Sequence, residues 1–132
     1  MKVGIDFHGV IDDNPEFFSE LSKLFVNNGH EVHIITGEKD TPAFRKKLSD
    51  LSIEYTHLFS IVTYHSFLGT EIWYKMNNPY MEESTWDRSK ADYCAREKID
   101  LHVDDSEKYF KYFTTPYVLY TKGLRKKVLN LI

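Results

Sequence analysis

The chain has 132 residues, a formal net charge of -3, 42% hydrophobic and 28% charged residues, and a single cysteine. That length suits one globular domain with a real core and leaves no room for a second. The near-balanced charge excludes an overall pull toward nucleic acid or an anionic membrane, one cysteine excludes a disulfide framework, and no stretch has the length or polarity of a signal peptide or membrane span. A soluble, cytosolic protein with no membrane partner is the expectation.

Taken in chain order, the first element is a short apolar run, Lys2 to Phe7, that delivers Asp6 into the turn Phe7-His8-Gly9. The run is too apolar for a half-solvated strand, which predicts that Asp6 lies at the carboxyl edge of a parallel sheet, where open α/β folds bind their ligands. Pro15 to Asn28 follows as a helix, with Phe17, Phe18, Leu21, Leu24 and Phe25 at helical spacing, Asn14 as N-cap, Pro15 in the first position and Gly29 as the stop. Glu31 to Thr36 reads as the next strand, and Thr41-Pro42 opens a helix through Leu48 and Leu51. Leu58 to Tyr64 reads as a third strand.

From Ser66 to Asp87 the rhythm changes: Trp73, Tyr74, Tyr80 and Trp86 surround the turn signal Asn77-Asn78-Pro79. A helix followed by a loop over the sheet's carboxyl edge is expected here, its aromatics either covering the core or facing a ligand. The alternation then resumes with a helix from Ser89 to Lys98, in which Cys94 reads as a small buried hydrophobe, and a strand from Ile99 to Asp104. A helix from Ser106 to Phe113, a strand from Tyr117 to Tyr120 and a helix from Gly123 to the end complete it. Strands alternating with helices predict an α/β three-layer sandwich around a central, mostly parallel sheet of five strands joined by right-handed crossovers.

Asp6, Thr36-Gly37, Lys90 at the opening of its helix, and Asp104-Asp105 all fall at or just beyond strand ends, and in a parallel sheet those ends share one edge. Taken singly, each has a plain reading: Asp6 or Asp104 as a helix N-cap, Thr36-Gly37 as a turn, Lys90 as a solvated helix residue. Together they make a site of carboxylates, a hydroxyl and an ammonium. Clustered carboxylates favour a hard cation such as Mg²⁺, and a lysine with a hydroxyl beside them suits a phosphoryl group.

These residues carry a family resemblance that covers almost the whole chain. Asp6-Phe7-His8-Gly9-Val10-Ile11 resembles the first motif of the haloacid dehalogenase-like (HAD) hydrolases, usually Asp-x-Asp-Gly-Thr/Val-Leu/Val/Ile. Ile34-Ile35-Thr36-Gly37 resembles the second motif, Lys90 the third, and Leu101-His102-Val103-Asp104-Asp105-Ser106 the fourth in its paired-Asp form. The resemblance implies a Rossmann-like HAD fold over residues 1–132 and a Mg²⁺-dependent phosphohydrolase. Asp6 would be the nucleophile that forms an aspartyl-phosphate. Mg²⁺ would be held by Asp6, the main-chain carbonyl of His8 and Asp105, with Asp104 behind it and paired with Lys90. Thr36 and the Gly37 backbone would hold phosphate, and Lys90 would stabilise charge on phosphate and on Asp6.

The chain departs from this pattern at His8, where the family usually has a second Asp that protonates the leaving alcohol and then activates water. Imidazole can give and accept a proton near neutral pH, so His8 is expected to be the general acid/base. The alternative is a catalytically impaired protein that binds a phosphorylated ligand or partner. Family members often insert a cap domain, but here the first helix follows the first motif at once, and only 66–87 has room for a small flap. An open site of this kind suits a phosphate on a nucleotide, a nucleic-acid end or another phosphomonoester, or a small substrate covered by a second copy in a homo-oligomer. Lys122, Arg125, Lys126 and Lys127 form a local basic cluster, read first as a solvated helix face and second as a phosphate-backbone contact.

Overall fold

The computed structural model describes residues 1–123 and 129–131. Strand β1 (Lys2–Ile5) ends in a tight turn over Phe7–Ile11, closed by the Asp12 N–H on the Phe7 carbonyl at 3.2 Å. Within it His8 is extended and Gly9 is left-handed at φ 78°, a conformation that favours glycine. Helix α1 (Pro15–Asn27) is capped as its sequence predicts, with the Phe17 N–H on the Asn14 side chain and Pro15 in the first turn. Its apolar stripe is narrower than the periodicity suggests, since Phe18 is buried while Phe17 and Leu24 face solvent. Strand β2 (Glu31–Thr36) leads to α2 (Pro42–Asp50), whose N-cap Thr41 accepts the Phe44 N–H at 3.1 Å.

Strand β3 (His57–Ser60) is shorter than the expected Leu58 to Tyr64. Ser60 caps a helix at that point, accepting the Thr63 N–H at 3.0 Å, and Ile61-Val62-Thr63 turns into α3 (Ile61–Leu68) despite its β-branched run. Of the helix and loop expected over 66–87, the loop holds a β-hairpin, β4 (Trp73–Lys75) against β5 (Asn78–Tyr80), turning at Met76 and Asn77 with φ 50° and 65°. Two positive φ angles in a two-residue loop match the right-handed twist of the flanking strands. Helix α4 (Glu83–Arg96) begins six residues before the expected Ser89, so Lys90 sits within the helix and not at its opening. Strand β6 (Leu101–Asp104), a 3₁₀ segment over Glu107–Tyr112 where an α-helix was expected, and β7 (Tyr117–Leu119) follow. The helix expected from Gly123 onward falls largely on 124–128 and 132, outside the described residues, as do Arg125, Lys126 and Lys127.

The central sheet has five strands, all parallel, in the order β3-β2-β1-β6-β7, a Rossmann-like α/β arrangement. Side chains alternate across it, so Val3, Ile5, Val32 and Ile34 pack with Phe18 of α1 and with Phe44 and Leu48 of α2. Ile35 and Phe59 pack on the other face with Ile61 of α3 and Tyr93 and Cys94 of α4. Cys94 is fully buried, and burial pushes its thiol up to about 12, as expected of an inert packing residue. Among the described residues no helix is long and apolar enough to cross a membrane.

Gly4, at the centre of β1, faces the α4 side where no Cβ fits: it would lie 2.7 Å from Ile35 Cδ1 and 2.8 Å from His102 Nδ1. Gly4→Ala is therefore expected to cost about 1–3 kcal/mol through overpacking. Chemical denaturation reads this directly, and a variant as stable as the parent would refute the close-approach argument.

Candidate active site

Parallel pairing sets the site. Ile5 is in register with Ile34 on β2 and with Val103 on β6, so Asp6, Thr36 and Asp104 leave the sheet side by side at its carboxyl edge. Lys90 reaches up from α4 beneath them. Its ammonium donates to Asp6 Oδ1 at 2.7 Å and to Asp104 Oδ2 at 2.8 Å, and all three residues are at least 95% buried.

One ammonium thus serves two carboxylates, and their other partners decide how the charge is shared. Asp104 also receives His102 Nε2 at 3.0 Å and the Ser106 N–H at 3.2 Å. Burial would raise its pKa, but the His102 hydrogen bond and the Lys90 charge outweigh burial and hold it well below the usual carboxylate range. Among the described residues the Asp6 carboxylate has Lys90 alone as a hydrogen-bond partner, so burial wins there and pushes it up to about 7, with the neighbouring Asp104 charge adding to the rise. Burial also works against the Lys90 charge, yet Asp6 and Asp104 overcome it and hold the ammonium above the ordinary lysine range. His102 is kept below its ordinary value by burial, against the Asp104 hydrogen bond. Its Nε2 lies against Asp104, and its Nδ1 is buried beside Gly4 with no hydrogen-bond partner among the described residues.

Asp105 follows on the exposed side. Its carboxylate and the Lys122 side chain lie over the bare face of Gly9, whose positive φ is what calls for glycine there. Carboxylate oxygens of Asp6, Asp104 and Asp105 lie within 4.8 Å of one another. Three carboxylates, two of them buried, could together hold a hard divalent cation. Comparisons with models of known protein families, with curated proteins and with solved structures find no match.

Thr36 is fully buried and its Oγ1 accepts the Glu38 N–H at 3.0 Å, which leaves the hydroxyl hydrogen free to donate. Gly37 lies under the Trp86 indole, whose Cζ2 stands 2.8 Å from where a Cβ would be. His8 projects from the turn with its side chain 57% exposed, Nε2 on Glu38 Oε1 at 2.6 Å and Nδ1 on Asp12 Oδ2 at 3.3 Å. The hairpin arches beside it, and a cavity of about 550 Å³ is lined by Tyr74, Tyr80 and Trp86 together with His8, Gly37 and Glu38. The β4–β5 hairpin thus lies along the same cavity as His8 and Gly37.

Every residue expected at the site from sequence lies at this edge. Several that belong with it were not foreseen. Glu38 and Asp12 orient His8, and the Asp12 carboxylate also receives the Gly9 N–H at 2.6 Å. His102 was legible in principle, because residues two apart on a strand share a face and it stands two before Asp104. Lys122, expected on a solvated helix face, lies in a turn with its side chain 63% exposed and its ammonium 3.3 Å from Asp105 Oδ2.

Proposed function

We propose that this protein is a HAD-like, Mg²⁺-dependent phosphomonoesterase that works through an aspartyl-phosphate on Asp6. The observation that carries this reading is the Lys90 ammonium held between Asp6 and Asp104 at parallel strand ends, with Asp105 close enough to share a cation. Asp6, Asp105 and the His8 main-chain carbonyl would hold the metal. Bound Mg²⁺ supplies charge neutralisation between a dianionic phosphate and the carboxylates.

The chain's own groups account for the rest. Lys90 fixes Asp6 Oδ1, leaving Oδ2 to attack phosphorus while the bond to the leaving oxygen breaks. The Thr36 hydroxyl and the Gly37 N–H face the phosphoryl oxygens. His8 exchanges Glu38 for the leaving oxygen, gives it a proton, and then takes one from the water that attacks the phosphorus of the aspartyl-phosphate, releasing inorganic phosphate and Asp6. A buried, inert thiol fits a reducing compartment such as the cytoplasm.

The test is release of phosphate from an aryl phosphate with and without Mg²⁺. Turnover that needs Mg²⁺ and is abolished by Asp6→Asn is the expected result. Failure on every monoester tried, with Mg²⁺ binding retained, sinks hydrolysis and leaves a binder of phosphorylated ligands. His8→Ala should slow alkyl phosphates by about 10²-fold or more while slowing aryl phosphates less, because a good leaving group needs little acid help. Equal losses on both substrates would remove His8 from the acid role.

A further inference from the structure

At the opposite edge of the sheet stands a second cluster that the proposed hydrolysis does not use. Glu31 and His33 lie two apart on β2 and share a face, and His57 is the register partner of His33 on β3. The two imidazoles stack in parallel, with centroids 4.1 Å apart and planes at 6°. Both turn a nitrogen toward one atom, Glu31 Oε1, which lies 2.9 Å from His33 Nε2 and 3.5 Å from His57 Nδ1. We propose that Glu31, His33 and His57 form a binding site for a borderline divalent transition-metal ion of the Zn²⁺ type, pinning β3 to β2.

Spacing, chemistry and support all bear on this. Bonds of about 2.0–2.1 Å in tetrahedral geometry put neighbouring ligand atoms about 3.3 Å apart, close to the two separations found here, and because the lone pairs of two parallel rings do not meet at one point, the half-exposed His57 ring turns out of the stack to reach the ion. Two imidazoles and one carboxylate select Zn²⁺ and its neighbours over Mg²⁺, and three protein ligands leave a fourth position for water. His33 has the outer partner that ligating histidines commonly have, since its Nδ1 lies 2.6 Å from the Tyr93 hydroxyl. Lys2, the cation nearest Glu31, stands 3.9 Å from Oε2 and donates to the Glu97 carbonyl, which leaves Oε1 to the metal. His57 Nδ1 also meets the Thr56 hydroxyl at 2.9 Å, but that hydroxyl donates to the Val32 carbonyl and keeps that bond if the ring turns. Half-exposed His57 and Glu31 give an ion a way in, while His33 is buried as the fixed point.

Thr36 lies three residues beyond His33, about 10 Å along the strand, so the cluster is separate from the Asp6 site. The experiment is titration of the full chain with Zn²⁺ by calorimetry in excess Mg²⁺, which keeps the carboxylate site filled, with Co²⁺ absorption as a second readout. One Zn²⁺ per chain and a tetrahedral Co²⁺ spectrum are expected. His57→Ala and Glu31→Gln should each weaken Zn²⁺ binding by about tenfold or more. Both positions are exposed enough to change without disturbing the core, and the unfolding midpoint of each variant without metal checks this. Absence of Zn²⁺ binding at high micromolar concentration, or binding that survives His57→Ala, overturns the proposal. Neither outcome bears on hydrolysis at Asp6.

Discussion

Lys90→Met is expected to destabilise the protein by about 3–5 kcal/mol at pH 8, because removing one partner of a buried ion pair leaves the other charge uncompensated. Here two carboxylates would be left, Asp6 and Asp104, at 5% and 0% exposure. The loss should shrink toward pH 5, since Asp6 already sits at about 7 and protonates on the way, whereas Asp104 keeps its His102 and Ser106 partners. Urea midpoints of parent and variant at the two pH values measure this. A variant equal in stability to its parent at pH 8 would contradict the buried network. Turnover should fall to background, as both Asp6 and the bound phosphate lose their cation.

Asp6→Asn should do the opposite to stability while abolishing activity. A carboxyl whose folded pKa is raised above its ordinary value favours the fold when protonated, so that support is full below about pH 4 and is lost as pH rises through about 7. Above that, the ionised Asp6 is a burden that asparagine does not carry, while the Asn carbonyl still accepts from Lys90. Metal-free Asp6→Asn is expected to be more stable than the parent by about 2–4 kcal/mol at pH 8, with the gap closing toward pH 4. Mg²⁺ should narrow the gap from the other side by stabilising only the parent. A variant less stable than the parent at pH 8 would mean that Lys90 more than repays the burial of Asp6. Such a trade between stability and activity is common where a charged group is buried for chemistry.

Much of this was legible in the chain, for identifiable reasons. The strands carrying Asp6, Thr36 and Asp104 are apolar runs with no competing period, so both the sheet and the convergence of their ends followed from pattern alone. Asn14-Pro15 and Thr41-Pro42 announce their helices because a side-chain acceptor followed by proline satisfies the first helical turn. The misreadings have physical causes too. Ser60 is a cap that only tertiary packing selects over continuing a β-branched strand, and Met76-Asn77 adopts positive φ without the glycine that usually advertises such a turn. Lys90 was placed at a helix start because Trp86 and Asp87 looked like part of a loop, whereas Trp86 packs on Gly37 and so belongs to the helix and the site at once. The contact of His8 with Glu38 was not legible, since Glu38 reaches it from across the sheet edge, 30 residues away.

That placement of Trp86 has a practical consequence. The chain holds two tryptophans, Trp73 on the hairpin and Trp86 against the backbone of Gly37, with its indole N–H on the Tyr109 hydroxyl at 3.0 Å. A Trp73→Phe protein would carry a single tryptophan, on the wall of the cavity beside His8. Its emission would report occupancy of that cavity without a label, and would follow ligands that bind but never react.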